Sequence, residues 1–183
     1  MSDYLNSAKK QFQYYKGLAD KAIAQTDDAH LHWQPNEASN SIAIIVKHLV
    51  GNMLSRWTDF LTTDGEKPWR NREAEFEGGY PNRAAMLAHW EQGWGCLFNA
   101  LDTLRAEDLE RIIFIRNEGH TVLEAINRQL AHYPYHIGQI VYLARWQANA
   151  TWQSLSIPKG DSDAFNEARF AQPPERRHFT DHL

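Results

Sequence analysis

Residues 129–143 read QLAHYPYHIGQIVYL. Extended to its neighbours, the stretch sets Ile126, Leu130, Tyr133, Ile137 and Ala144 at steps of four, three, four and seven. That spacing lines one face of an α-helix, and a strand would alternate every second residue instead. Upstream, Thr121 and Glu124 stand three apart, the pattern in which each side chain satisfies a backbone N–H of the other's turn. The spacing therefore predicts a helix from about Thr121 to about Gln147. Within it His132 and His136 are four residues apart, and Pro134 lies between them. The proline removes one backbone donor and presses its ring on the preceding turn, so a kink costing about 3 kcal/mol is expected there.

Working outward, three more segments share the period. Leu5, Ala8, Phe12, Tyr15, Ala19 and Ile23 give a first helix over about residues 3–27. Ile42, Ile45, Val46, Leu49, Val50, Met53, Trp57 and Phe60 give a second over about 40–62, with Ser39, Asn40 or Ser41 available as its cap. Leu87, Trp90, Trp94, Leu97, Leu101 and Leu104 give a third over about 82–104. The stretch from Asp64 to Pro81 holds two prolines, three glycines and alternating charges, and reads as a long surface loop, of the kind that borders binding sites. In 105–119, RIIFIR suggests a short extended piece. Residues 148–183 keep no sustained period and carry Pro158, Gly160, Pro173 and Pro174, so an irregular tail over the helices is expected. Four long amphipathic segments without internal repeats predict an all-α, four-helix bundle forming a single domain over 1–183.

Composition narrows the function. The chain has 183 residues, enough to bury roughly 70% of its unfolded surface without staples. Its 19 basic and 23 acidic side chains are interspersed and leave a net charge of −4, which argues against nucleic acid as a partner. The N-terminal MSDYLNSAKKQFQYY lacks the apolar core of a secretory signal. The run IAIIV at 42–46 is too short to span a bilayer, and mean hydropathy is −0.61. A cytoplasmic, membrane-free protein is expected, and the single Cys96 agrees with a reducing compartment.

Histidines at i and i+4 on a helix stand one above the other and can direct ring nitrogens at one point. In this helix they fall on the shoulder of the core stripe, beside Ala125 and Gln129, where they would line a cleft. The spacing alone favours surface or boundary histidines over ligands. HYPYH is not HExxH, so a zincin-type protease is disfavoured. A catalytic site of the zinc kind uses three protein ligands, and His48 on the second helix is the candidate third. Periodicity sets His48 with Ser41, Asn52, Ser55 and Asp59 on the less apolar side, away from the main core. His178 and His182 repeat the i,i+4 spacing but follow a Pro-Pro pair at the chain end. His30 and His32 read as loop residues, and His89 and His120 have no partner at ligand spacing.

Two segments, SIAIIVKHLVGNMLSRW (41–57) and HYPYHIGQIVYLARW (132–146), resemble the second and fourth helices of the DinB-like, or YfiT-like, superfamily of small four-helix-bundle metalloenzymes. HLVGNMLSRWTDFLTTDGEKPWRNREAEFE (48–77) and WQSLSIPKGDSDAFN (152–166) are similar to an uncharacterised branch of it, so the resemblance runs to about Asn166. It implies His48, His132 and His136 as ligands of a divalent metal ion, zinc or nickel. It sets Gln139 at the glutamine of the family pattern and Trp33 at a recurrent aromatic before the second helix.

Three neutral imidazoles leave the ion a net positive charge that can activate a bound thiol or water. Some relatives in the superfamily transfer low-molecular-weight thiols, and others look like hydrolases or isomerases. The resemblance thus implies a metal-dependent transferase or hydrolase acting on a small-molecule substrate. The other class is a non-enzymatic metal-binding or structural, stress-related homodimer, for which Ile44 and Leu54, apolar outside the main stripe of the second helix, would supply an interface. No catalytic base is identifiable: Asp59, Glu66, Arg70 and Glu73 read as solvated loop charges, and Cys96 has no neighbouring base.

Overall fold

The computed structural model describes residues 2–181. It is mostly helical, with α1 over Ser2–Ala24, α2 over Asp28–Leu31, α3 over Ile42–Trp57, α4 over Arg83–Asp102, α5 over Val122–Ala148 and α6 over Ser162–Phe170. One antiparallel hairpin joins β1 (Ile112–Ile115) to β2 (Glu118–Thr121). The helix starts follow the side chains that can accept first-turn N–H groups. Ser41 Oγ accepts from Ile44 N, Asn82 Oδ1 from Ala85 N, and Thr121 and Glu124 close the reciprocal box that opens α5.

The long helices pack in a ring of pairs, α1 on α5 and α4, and α3 on α4 and α5. At the α3–α4 crossing a side chain at Gly93 would place its Cβ 3.1 Å from both methyls of Val50, so the glycine is what lets these backbones close. Phe12, Trp94 and Tyr133 meet at the centre with ring centroids 5.8 to 6.4 Å apart in tilted and edge-on pairs. Tyr133 is fully buried, and its hydroxyl accepts from Trp57 Nε1 at 3.0 Å and donates to Asn52 Oδ1 at 3.1 Å. This polar thread links the core to the face of α3 that carries His48.

Several boundaries differ from the periodic reading. α1 stops at Ala24, and the loop that follows contains the short α2. α3 ends at Trp57 and not near residue 62, because the chain turns at Asp59 with φ +47. Phe60 is buried from within that turn, so its apolar character marked burial and not helix. α5 runs unbroken through Pro134. The extended piece expected in 105–119 is β1, but its partner EGHT has no apolar alternation to betray it. The two residues between them, Arg116 and Asn117, both lie in the left-handed region (φ +58 and +61), as a tight hairpin turn demands. Asp64 holds that turn by accepting both of their N–H groups at 2.8 Å.

The tail is not wholly irregular, since α6 forms within it, with none of its residues buried. Nine residues fall short of the window over which a 3.6-residue period can be read. The tail returns to α1 through a bond between Ser7 Oγ and His178 Nε2 (3.1 Å) and an edge contact of Phe179 on Tyr14. His182 lies outside the described residues. Ile44 is buried by the chain itself, and Leu54 is partly buried against the core. No helix among the described residues is long and apolar enough to cross a membrane.

Candidate metal centre

His132 and His136 project from successive turns of α5 and are half-buried, while His48 faces them from α3 and is buried. Ring centroids lie 4.8 Å apart for His132 and His136, 4.9 Å for His48 and His136, and 5.5 Å for His48 and His132. One ligand nitrogen from each ring falls within 4.8 Å of the others, and among the described residues this is the group of His, Cys, Asp and Glu side chains that could hold a metal ion.

Each ring is oriented through its other nitrogen. Nδ1 of His48 meets Glu75 Oε2 at 2.9 Å, Nδ1 of His132 meets Gln129 Oε1 at 3.2 Å, and Nδ1 of His136 meets Gln139 Oε1 at 2.8 Å. These oxygens only accept, so Nδ1 must carry the proton in every ring, and Nε2 is left with its lone pair. The two Nε2 atoms of His132 and His136 stand 3.1 Å apart. Two lone pairs at that distance repel unless a cation sits against both. Nitrogens sharing one ion at about 2.0–2.1 Å lie roughly 3.0–3.4 Å from each other, depending on the bond angle. The His132 and His136 pair is therefore set for one divalent ion, and His48 faces the same point from α3, the three ligand nitrogens lying within 4.8 Å of one another.

A proton is the poorer occupant. Burial, reinforced by the neighbouring His136 and His48 rings and by Arg128, pushes the His132 imidazole down from 6.5 to about 3. Burial lowers His136 as well, against the bond to Gln139, which favours its charged form. Such imidazoles bind fewer protons folded than unfolded across the interval between the two pKa values. The metal-free protein is thus expected to lose stability as pH falls below about 6.5, and to go on losing it towards about 3, where His132 charges in the folded chain too. Urea unfolding over a pH series measures this, and a stability independent of pH across that interval would show that the imidazoles are not held neutral.

The support for His48 comes from the loop after α3, largely exposed but buried at Glu75. Glu75, in a one-turn 3-10 helix over Glu73–Phe76, is buried and receives Arg70 Nε at 2.7 Å on Oε1 and Arg70 Nη2 at 3.0 Å on Oε2. Burial alone would raise the Glu75 carboxyl, but the bonds from His48 and Arg70 outweigh it and hold it below the usual carboxylate range. Phe76 stacks on the His48 ring at 4.9 Å, and Arg72 lies over Phe76. Gly51 makes the approach possible, because a Cβ there would come within 2.3 Å of Glu75 Oε1. The helical period sets His48 on the polar side of α3, and that side is buried as well as the apolar one, with Asn52, Ser55 and Arg56.

A cleft of about 430 Å³ opens onto the three rings, walled also by Asn52, Gln129 and Tyr135. Trp33 does not line it and packs edge-on against Trp146, anchoring its loop. Cys96 lies elsewhere, its Sγ 3.6 Å from Thr58 Oγ1. Glu66 and Arg70 stand in the buried ion network, and Glu73 is exposed. His89 bonds Tyr80, and His178 bonds Ser7 and Thr180.

The model of a family described as protein of unknown function (DUF1572) matches residues 1–161. The chain belongs to the DUF1572 family. No curated protein and no solved structure matches it. The span shared with DUF1572 takes in all three histidines, their Glu75, Gln129 and Gln139 acceptors, and the hairpin, and it ends just before α6.

Proposed function

We propose that this DUF1572 chain is a single-domain, DinB-like four-helix-bundle metalloenzyme that holds a divalent ion, zinc or nickel, on Nε2 of His48, His132 and His136. In this reading it is a transferase or hydrolase for a small-molecule substrate. When bound, the ion supplies a Lewis-acid centre able to lower the pKa of a thiol or a water and so prepare a nucleophile near neutral pH. The carrying observation is that all three Nδ1 atoms are committed to acceptors while two of the Nε2 atoms face each other at 3.1 Å.

The chain's own groups then divide the work. Glu75 and the two glutamines hold the rings in the ligating tautomer, the second layer of bonding on which metal sites depend. Burial keeps His132 and His136 free of protons that would compete. The cleft leaves one side of the cluster open to a substrate, as catalytic zinc sites do and structural ones do not.

The zinc- or nickel-loaded protein should turn over a low-molecular-weight thiol with an electrophile, or an ester or amide, and lose that activity on chelation. Absence of metal-dependent turnover across both substrate panels, with the ion bound, would sink the enzyme reading.

A further inference from the structure

Arg56, Arg70, Arg72, Arg116 and Arg128 line the cleft that opens onto the three histidines, and among the described residues no carboxylate lines it. The carboxylates bonded to these guanidinium groups are Glu66, Glu73 and Glu75. Glu66 is divided three ways, its Oε2 standing 3.1 Å from Arg56 Nη1, 3.4 Å from Arg70 Nη1 and 3.1 Å from Arg116 Nη2. Five cations against these three carboxylates, with Asp64 close by on the hairpin N–H groups, leave at least one positive charge in excess beside a site that would itself hold a dication.

Two of the arginines keep donors to spare. The Arg56 side chain is 6% exposed, both its bonds, to the Gly65 carbonyl and to Glu66, leave from Nη1, and its buried Nε has no partner. Arg128, an exposed residue of the cleft wall, lies one helical turn ahead of His132, and its side chain has no hydrogen bond or ion pair among the described residues. Arg116 reaches the same cleft from the hairpin turn, where a non-glycine residue in the left-handed region costs roughly 1–2 kcal/mol. For Arg56 alone, a buried open donor is unfavourable and draws negative charge toward the cleft, while the exposed forks of Arg116 and Arg128 match the two oxygens of a carboxylate or phosphate.

We propose that the cleft recognises a substrate through an oxyanion, carboxylate or phosphate, bound by Arg128 and Arg116 at the exposed wall, with the buried charge of Arg56 adding to the attraction. This names the substrate class of the metal site and rests on that reading for its chemistry, although the anion contact itself does not require the ion.

Calorimetric titration with inorganic phosphate and with acetate tests it on the full chain, metal-free and zinc-loaded, for the wild type, Arg128→Gln and the Arg116→Gln/Arg128→Gln pair. At least one anion should bind the metal-free wild type, and which one binds tells a phosphate from a carboxylate. Arg128→Gln should weaken it about tenfold or more, the double variant should abolish it, and zinc affinity should be unchanged or tighter. Equal anion affinity in wild type and Arg128→Gln, or no binding of either anion, overturns the proposal. Anion binding that persists in a chain unable to hold zinc would support the arginine site and remove only the metal reading.

Discussion

Zinc affinity is expected to fall by about two to three orders of magnitude when His132 is replaced by alanine. Structural zinc sites in small peptides bind with about 10–16 kcal/mol spread over four ligands, hence roughly 2.5–4 kcal/mol for each imidazole lost. The effect is larger than that of any supporting residue because Nε2 of His132 is one of the two lone pairs that face each other at 3.1 Å. His136→Ala should behave alike, and the double variant should bind little more than the surface does. Chelator competition measures the affinities. The fold provides an independent readout, since an ion at a thousand times its Kd stabilises the wild type by about 4 kcal/mol and should raise the unfolding midpoint. In His132→Ala the same ion concentration should leave a gain of only about 0.4–1.4 kcal/mol, while the metal-free midpoint moves little, because the ring is half-buried at a cleft and not in the core. Wild-type zinc affinity in His132→Ala and His136→Ala alike would remove both from the ligand set.

The i,i+4 spacing by itself makes that pair visible in the sequence, because side chains four apart on a helix must share a face. Periodicity likewise locates the four long helices, since burying Phe12, Trp94 or Tyr133 demands an apolar stripe. It cannot see what covers a polar stripe. His48, Asn52, Ser55 and Arg56 recur at helical spacing on α3 in the manner of a solvated face, yet a charged loop folds over them and pairs internally. A polar face in water and a polar face beneath an ion network have the same sequence pattern. Gly51 is the one local trace: a glycine inside an otherwise apolar helix marks a close approach, here by Glu75. Gln129 and Gln139 sit three residues from their histidines, within reach on the same face, but spacing does not distinguish an orienting bond from packing.

The loop network carries the second large effect. Replacing Glu75 with alanine should destabilise the metal-free protein by about 3–5 kcal/mol, because the Arg70 side chain, 3% exposed, would keep its charge with only the shared Glu66 at 3.4 Å. It should also weaken zinc binding by about 10- to 100-fold, since nothing else would hold Nδ1 of His48 and fix its tautomer. Two further variants separate charge from orientation. Glu75→Gln keeps an oxygen for His48 but removes the anion, so stability should fall by a similar amount and zinc affinity by less. Gly51→Ala keeps the anion but drives a methyl to within 2.3 Å of its Oε1, so zinc affinity should fall although alanine favours helix by about 1 kcal/mol. Urea unfolding of the metal-free chains reports the first effect and chelator competition the second. If Glu75→Ala lowers stability yet leaves zinc affinity untouched, the carboxylate serves Arg70 alone, and His48 is oriented by its stacking on Phe76.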